Sequence, residues 1–305
     1  MGIELAASSL LEGLVQQVVT GLATGAVYAS LALALVLVFR SMHALNFAQG
    51  EMAMFGTFIA WTLITQLHVN YYLAFGLTIA ISMAGGVAIE RVIIRPVERA
   101  PALTVVLVTL GLFFVVNGAA GLIWGYVVKA FPGPPGFPQA PVAVAGVSIG
   151  VQDLFLIAVT LVILAALYAF FRFTRLGLAM RAAALYPETS RLLGVHTGRM
   201  LALGWGLAAG VGAVSGMLIA PIEFLDPNLM QPVLLYALAS AVLGGIENPA
   251  GAVVGGFVVG VMLALIGTYV PGARDLRLAF GLVIIVAVLL VRPAGLLGRP
   301  HVARV

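Results

Sequence analysis

The chain has 305 residues, 62% of them hydrophobic and 9% charged, whereas a soluble globule carries roughly 25% charged residues. That excludes a soluble domain. The net charge of +4 does not point to nucleic acid, because the basic residues lie in short connections between apolar runs, and the lack of cysteine excludes disulfides, thiol catalysis and thiolate metal sites.

The opening "MGIELAASSLLEGLVQQ" carries Glu4 and Glu12 where a signal peptide would be basic, so the N-terminus reads as mature. Apolar runs of about 20 residues, long enough to cross a hydrocarbon core as helix, then recur along the whole length. Abundant Gly, Ala and Leu favour helices over barrel strands of about ten residues. The expected fold is all-α: one polytopic membrane bundle over residues 1–305, with about eight or nine transmembrane helices. They are placed near 15–39, 50–66, 72–94, 102–124, 151–172, 200–221, 229–245, 250–270 and 276–291.

Between the first two helices, "LNFAQGEMAMFGTF" sets Asn46, Gln49 and Glu51 just before a lipid-compatible helix. A helix starting near Gly50 leaves free N–H groups in its first turn, and Glu51 is favourable there. The segment either satisfies itself or offers its polar groups to a passing solute, as the broken helices of transporters do. After the fourth helix, "KAFPGPPGFPQAPVAVAGVSIG" is too rich in Pro and Gly for a helix and predicts an irregular cap or a short extended hairpin. It is either a docking surface for an external partner or a plain connection.

After the fifth helix comes the most polar stretch, "RFTRLGLAMRAAALYPETSRLLGVHTGR". Pro187 suits a first helical turn, Glu188 the positive end of a helix dipole, and Gly194 a left-handed cap. The resulting two-turn helix is too short to stand alone. It rests on its own bundle at the lipid interface or on another protein.

Further on, "LGGIENPAG" interrupts the helical run with Gly244, Gly245 and Pro249 around Glu247 and Asn248. "GAVVGGFVVG" then places Gly251, Gly255, Gly256 and Gly260 at small-xxx-small spacing. Gly21 with Gly25, Gly206 with Gly210, and Gly212 with Gly216 repeat the device, which reads as bundle packing rather than a dedicated dimer face. Interrupted segments in both halves point to an inverted repeat, with the first half running to about residue 150.

Arg40, Arg91, Arg95, Arg99, the arginines from Arg172 to Arg199, and Arg292, Arg299 and Arg304 fall on one side of this topology, leaving Lys129, Arg274 and Arg277 on the other. The positive-inside rule puts the N-terminus outside and the C-terminus inside.

"LNFAQGEMAMFGTF", "RAAALYPETSRLLGVHTGR", "AVLGGIENPAGAVVGGFVVG" and the C-terminal "VRPAGLLGR", in this order and across nearly the whole chain, resemble the shorter of the two permease subunits of ABC importers for branched-chain amino acids. That family often has His where this chain has Gln49, so the position gives no support to a proton switch. The resemblance implies a bacterial inner-membrane protein partnered by a longer permease, two cytoplasmic ATPases and an external solute-binding protein. It makes 173–199 the ATPase-coupling loop, with Arg181, Pro187, Glu188, Arg191, Gly194 and Val195. Asn46, Gln49, Glu51, Glu247 and Asn248 become candidates for the solute pathway. Related permeases carry urea and short-chain amides, so that cargo is the alternative.

No G-x-x-x-x-G-K-[ST] phosphate loop is present, and the sole lysine, Lys129, lies in an outside loop, so ATP hydrolysis is assigned to partner subunits. A stand-alone ion-coupled carrier would place several ionisable residues in its spans. Here only Glu51, Glu90 and Glu247 come near membrane depth, each close enough to an end to be interfacial. A membrane enzyme finds no metal cluster and no nucleophile with a partnered base, and His43, His68, His196 and His301 all fall in connections or tails. No cofactor or metal is expected.

Overall fold

Hydrocarbon offers no water to backbone N–H and C=O groups, so a lipid-spanning chain must pair them internally, which helices do. The computed structural model describes residues 2–42, 44–98, 100–136, 142–144, 147–273, 276–292 and 294–298. Arg99, Arg274, Arg299, Arg304, His43 and His301, used in the topology and histidine arguments, lie outside the described residues.

The elements are α1 (Gly2–Met42), α2 (Gln49–Trp61, continued by a π-helical turn, Thr62–Gln66), α3 (Tyr71–Ile89, extended by single turns to Val97) and α4 (Ala102–Trp124). A two-stranded hairpin, β1 (Val142–Val144) and β2 (Val147–Ile149), precedes α5 (Val151–Phe173). Then follow α6 (Arg175–Leu185), α7 (Pro187–Leu192), α8 (Thr197–Glu223), α9 (Met230–Gly244), α10 (Pro249–Tyr269) and α11 (Arg277–Val291). The hairpin is antiparallel, with Val142 opposite Ile149 and Val144 opposite Val147, so the extended alternative expected for the Pro/Gly-rich connection is the one formed.

Each of the nine expected membrane helices has a counterpart among the described residues, but six are long and apolar enough to cross a membrane by themselves. The exceptions are α9 and α11, each of 15 residues, and the 13-residue α2. For α2 and α9 the reason is visible: each begins after a break, at 44–48 and 224–229, that neighbouring elements hold by hydrogen bonds. The 11-residue α6 is an addition that the sequence reading did not foresee. Thr174 caps its start by accepting a hydrogen bond from the Gly177 N–H at 3.0 Å.

Small residues decide which helices meet. α1 packs most extensively along α10, and Gly21 and Gly25 face Gly256 and Gly260 there. A Cβ on Gly256 would run into the Ala29 backbone, and one on Gly260 into Gly25 and the Gly21 carbonyl. Gly251 and Gly255 turn the other way, against Gly244 and Ser240 of α9. On α8, Gly206 and Gly210 approach Met83 of α3, whereas Gly212 and Gly216 approach Gln49, Ala53 and Thr57 of α2. All four glycine sets therefore have partners within the chain. Such close approach lets dispersion act where lipid supplies no hydrophobic drive.

Gly256→Leu or Gly260→Leu is expected to destabilise the α1–α10 seam by about 1–3 kcal/mol or more, the usual cost of overpacking. Gly111→Ala, at a position with open space around it, is the control. Recovery of monodisperse protein after detergent extraction and its thermal unfolding midpoint check the difference.

Candidate functional site

Asn46, Gln49 and Glu51 are all buried, each 1% exposed or less. The break between α1 and α2 is folded onto its own side chains. Asn46 Oδ1 accepts from the Ala48 N–H at 3.1 Å, and its amide donates to Gln49 Oε1 at 3.2 Å. Gln49 donates in turn to the Ala208 carbonyl in the middle of α8 at 2.9 Å. Thr109, well inside α4, donates to the Leu45 carbonyl at 3.3 Å and accepts from the Phe47 N–H at 3.4 Å. The break is therefore at membrane depth, held between α4 and α8.

Glycine at position 212 makes the α8 contact feasible. In a helix the side chain four residues on shields a carbonyl from lateral approach; here a Cβ at Gly212 would stand 2.8 Å from the Gln49 amide nitrogen. Leaving it out opens the second lone pair of Ala208 to Gln49.

Glu51 points elsewhere. Its Oε2 accepts from Asn117 Nδ2 of α4 at 3.1 Å, and the same amide donates to the Pro227 carbonyl at 2.8 Å. Gln231, at the start of α9, donates to Asn228 Oδ1 at 2.9 Å. Asn228 is exposed, and its N–H is held by Asp226 Oδ1 at 2.6 Å. A ladder of carboxylate and amides thus runs from buried Glu51 to the surface at 226–228, joining the break of the first half to the break between α8 and α9. Among the described residues no basic side chain forms an ion pair with Glu51.

Asn117, Asn228 and Gln231 were missed from the sequence. Single polar residues inside apolar helices were the available signal, and only those beside an obvious interruption had been singled out. Conversely, Glu247 and Asn248 do not join this cluster. Glu247 is exposed. Asn248 caps α10 by accepting from Ala250 and Gly251 N–H groups at 3.1 and 3.2 Å, and donates to the Leu297 carbonyl at 2.8 Å. With Leu296 and Leu297 N–H groups bonded to the Leu243 and Gly244 carbonyls, the "LGGIENPAG" break is a dock for the C-terminal "AGLLG".

Of the three carboxylates expected near the interface, Glu51 and Glu90 are buried inside the bundle, whereas Glu247 is exposed. Glu90 is fully buried, and Arg95 neutralises it through two contacts of 3.2 and 3.0 Å. Arg95 also donates to the Gly198 carbonyl at 2.9 Å, which ties the end of α3 to the start of α8.

In the 173–199 loop, α7 is six residues long. Pro187 occupies its first turn, and Arg191 binds Glu188 at 3.3 Å and Thr197 Oγ1 at 3.0 Å. Gly194 has φ +81°, a left-handed conformation suited to glycine, while its N–H bonds the Arg191 carbonyl and the Val195 N–H bonds the Ser190 carbonyl. Leu192 and Leu193, which the sequence reading passed over, are 89% and 79% exposed at the tip. Arg181 lies on the preceding helix, α6.

A family model described as "Branched-chain amino acid transport system / permease component" matches residues 17–289. The chain is 33% identical over 303 residues to the high-affinity branched-chain amino acid transport system permease protein BraD of Pseudomonas aeruginosa, covering 95% of this chain and 97% of that protein. It is 31% identical over 305 residues to the high-affinity branched-chain amino acid transport system permease protein LivH of Escherichia coli K12, with the same coverage. No solved structure gives a significant match.

Arg95→Ala, which strands the buried Glu90 carboxylate, is expected to cost up to about 3 kcal/mol, and the Glu90→Gln/Arg95→Ala pair to recover most of it. Thermal unfolding of the detergent-solubilised chain measures both.

Proposed function

The chain belongs to the branched-chain amino acid transport system permease family, and we propose that it is the shorter transmembrane permease of an ABC importer. In this reading it carries leucine, isoleucine and valine inward across the bacterial inner membrane with its N-terminus outside. The motion is driven by two cytoplasmic ATP-binding subunits, with a longer second permease beside it and a solute-binding protein delivering cargo from outside. The names of the relatives support the cargo class, and the distribution of arginines supports the orientation.

The observation that carries the reading is the Glu51 ladder. A carboxylate buried at membrane depth is costly unless an opposite charge or hydrogen bonds compensate it, and among the described residues Glu51 meets the side-chain amides of Asn117, at 3.1 Å, and Gln231, with no basic side chain paired to it. The ammonium of an amino acid supplies the missing charge. The side-chain amides of Asn117 and Gln231 are donors suited to the carboxylate at the zwitterion's other end. In the present conformation the ladder closes over Glu51, and opening between the 44–48 and 224–229 breaks exposes it. Asn46 and Gln49, whose partners are all within the chain, hold the break in place.

The α7 tip is the coupling element in this reading. Exposed Leu192 and Leu193 give it an apolar face for an ATPase groove, and the Arg191–Glu188–Thr197 contacts with the Gly194 cap keep the tip rigid against α8.

Glu51→Gln is expected to leave assembly of the complex intact and raise the KM for leucine uptake about tenfold or more, the loss of a charged hydrogen bond. Asn46→Ala and Gln49→Ala should instead lower the amount of assembled complex, with unchanged KM in what survives. An unchanged KM for Glu51→Gln would remove the ammonium contact, and uptake of urea but not leucine would replace the cargo. In the coupling loop, Gly194→Pro and Arg191→Glu are expected to insert normally while ATP hydrolysis no longer drives uptake. Transport and ATPase rates measured side by side in proteoliposomes of the full complex check this.

A further inference from the structure

We infer that the recess between the end of α1, α6 and the start of α8 binds the phosphate of an anionic phospholipid from the leaflet at the α7 end of the bundle. The recess has a volume of about 200 Å³, and Arg40, Arg181 and Arg191 line it against one carboxylate, Glu98. Arg191 is already held by Glu188 and Thr197. Arg40 and Arg181 are not paired: among the described residues no carboxylate lies within ion-pair distance of either. The Nε of Arg181 is buried with no hydrogen-bond partner. The two guanidiniums also lie near enough to repel one another, with the exposed Glu247 the one acid acting on Arg40 from farther away. Two half-buried like charges facing one cavity call for an anion.

The donors present suit phosphate. Guanidinium groups pair phosphate oxygens through planar, two-pronged hydrogen bonds. Thr197 and Gly198, the first residues of the 27-residue α8, also line the recess, and no side chain caps that helix. Its first-turn N–H groups and dipole favour the same negative charge.

The surroundings indicate that the phosphate comes with acyl chains. Leu37, Phe171 and Leu201 form an apolar part of the wall of the same recess. At its edge α6 exposes Leu176 and Leu178, 51% and 60% accessible, next to Arg175. That is the composition of a helix lying in the membrane surface, and basic recesses between transmembrane helices on the cytoplasmic side suit anionic lipid head groups. The assignment does not depend on the identity of the transported solute.

Native mass spectrometry of the purified full chain, exchanged into detergent with phosphatidylglycerol or phosphatidylcholine, tests it together with thermal unfolding titrated with each lipid and with inorganic phosphate. Retention and stabilisation are expected for phosphatidylglycerol only. Arg40→Gln or Arg181→Gln should raise the half-saturating lipid concentration about fivefold each, while Arg175→Gln leaves it unchanged. Should the glutamine variants fail to fold, Arg181→Lys, which keeps the charge, and the lipid comparison on the unaltered chain still decide. Equal retention of both lipids, or undiminished phosphatidylglycerol binding in folded Arg40→Gln and Arg181→Gln, overturns the site. Stabilisation by inorganic phosphate that displaces the lipid assigns the recess to a soluble anion and overturns the lipid source. Loss of the lipid on assembly with the ATP-binding subunits assigns the arginines to an acidic group of that partner, with the same effect.

Discussion

Two of the helices begin at breaks in the bundle, one buried and one reaching the surface, and everything distinctive about the molecule follows from how their backbone is satisfied. A break in lipid leaves carbonyl and amide groups without water, each at a cost of a few kcal/mol. At 44–48 the solution is local and lateral at once: Asn46 closes the turn on itself, Thr109 serves both Leu45 and Phe47, and Gln49 reaches the Ala208 carbonyl. The break is thereby welded to α4 and α8, and those contacts fix where Glu51 sits.

The same constraint explains why α8 is built from small residues along most of its length. A helix that must present a carbonyl to a neighbour, lie against α3 on one side and against α2 on another cannot carry bulky side chains on those faces. Gly206 and Gly210 fit beneath Met83, Gly212 clears the path of Gln49, and Gly216 makes room for Thr57. Ser215 adds a buried hydroxyl contact of 2.6 Å to Ser30 of α1. Smooth surfaces of this kind also permit small sliding motions between packed helices, because little interlocking has to be undone.

The helix positions, the hairpin and the role of the glycines were legible in the sequence because each rests on a local rule: an apolar run, a Pro/Gly cluster, a four-residue spacing. What stayed hidden were relations between distant residues. Nothing local to Asn117 says that it meets Glu51, 66 residues away. Nothing local to Glu90 says that it is fully buried while a half-exposed Arg95 reaches back to pair with it. The likeness of "LGGIENPAG" to the opening motif suggested a shared site, yet its Asn248 is spent on capping α10 and holding Leu297. The break that does meet Glu51, at 224–229, carries Asp226 and Asn228, with its backbone served by Asp226 from within and by Asn117 from outside.

One element connects the parts. α8 starts directly after the α7 tip and is tied there to α3 through the Arg95–Gly198 bond; its middle accepts Gln49; its far end leads into the break that Asn117 joins to Glu51. Pro221 lies near that far end, after the stretch that packs on α2 and α3, so the contacts at both breaks depend on one continuous run of helix. Under the importer reading, a displacement of α7 by an ATP-binding subunit is then a displacement of the Ala208 carbonyl and of 224–229 relative to α4. The Glu51 ladder spans that boundary, with Glu51 on α2, Asn117 on α4 and Pro227 in the break. It is the set of hydrogen bonds that such a motion would have to open, and opening it uncovers the one unpaired carboxylate among those described at membrane depth.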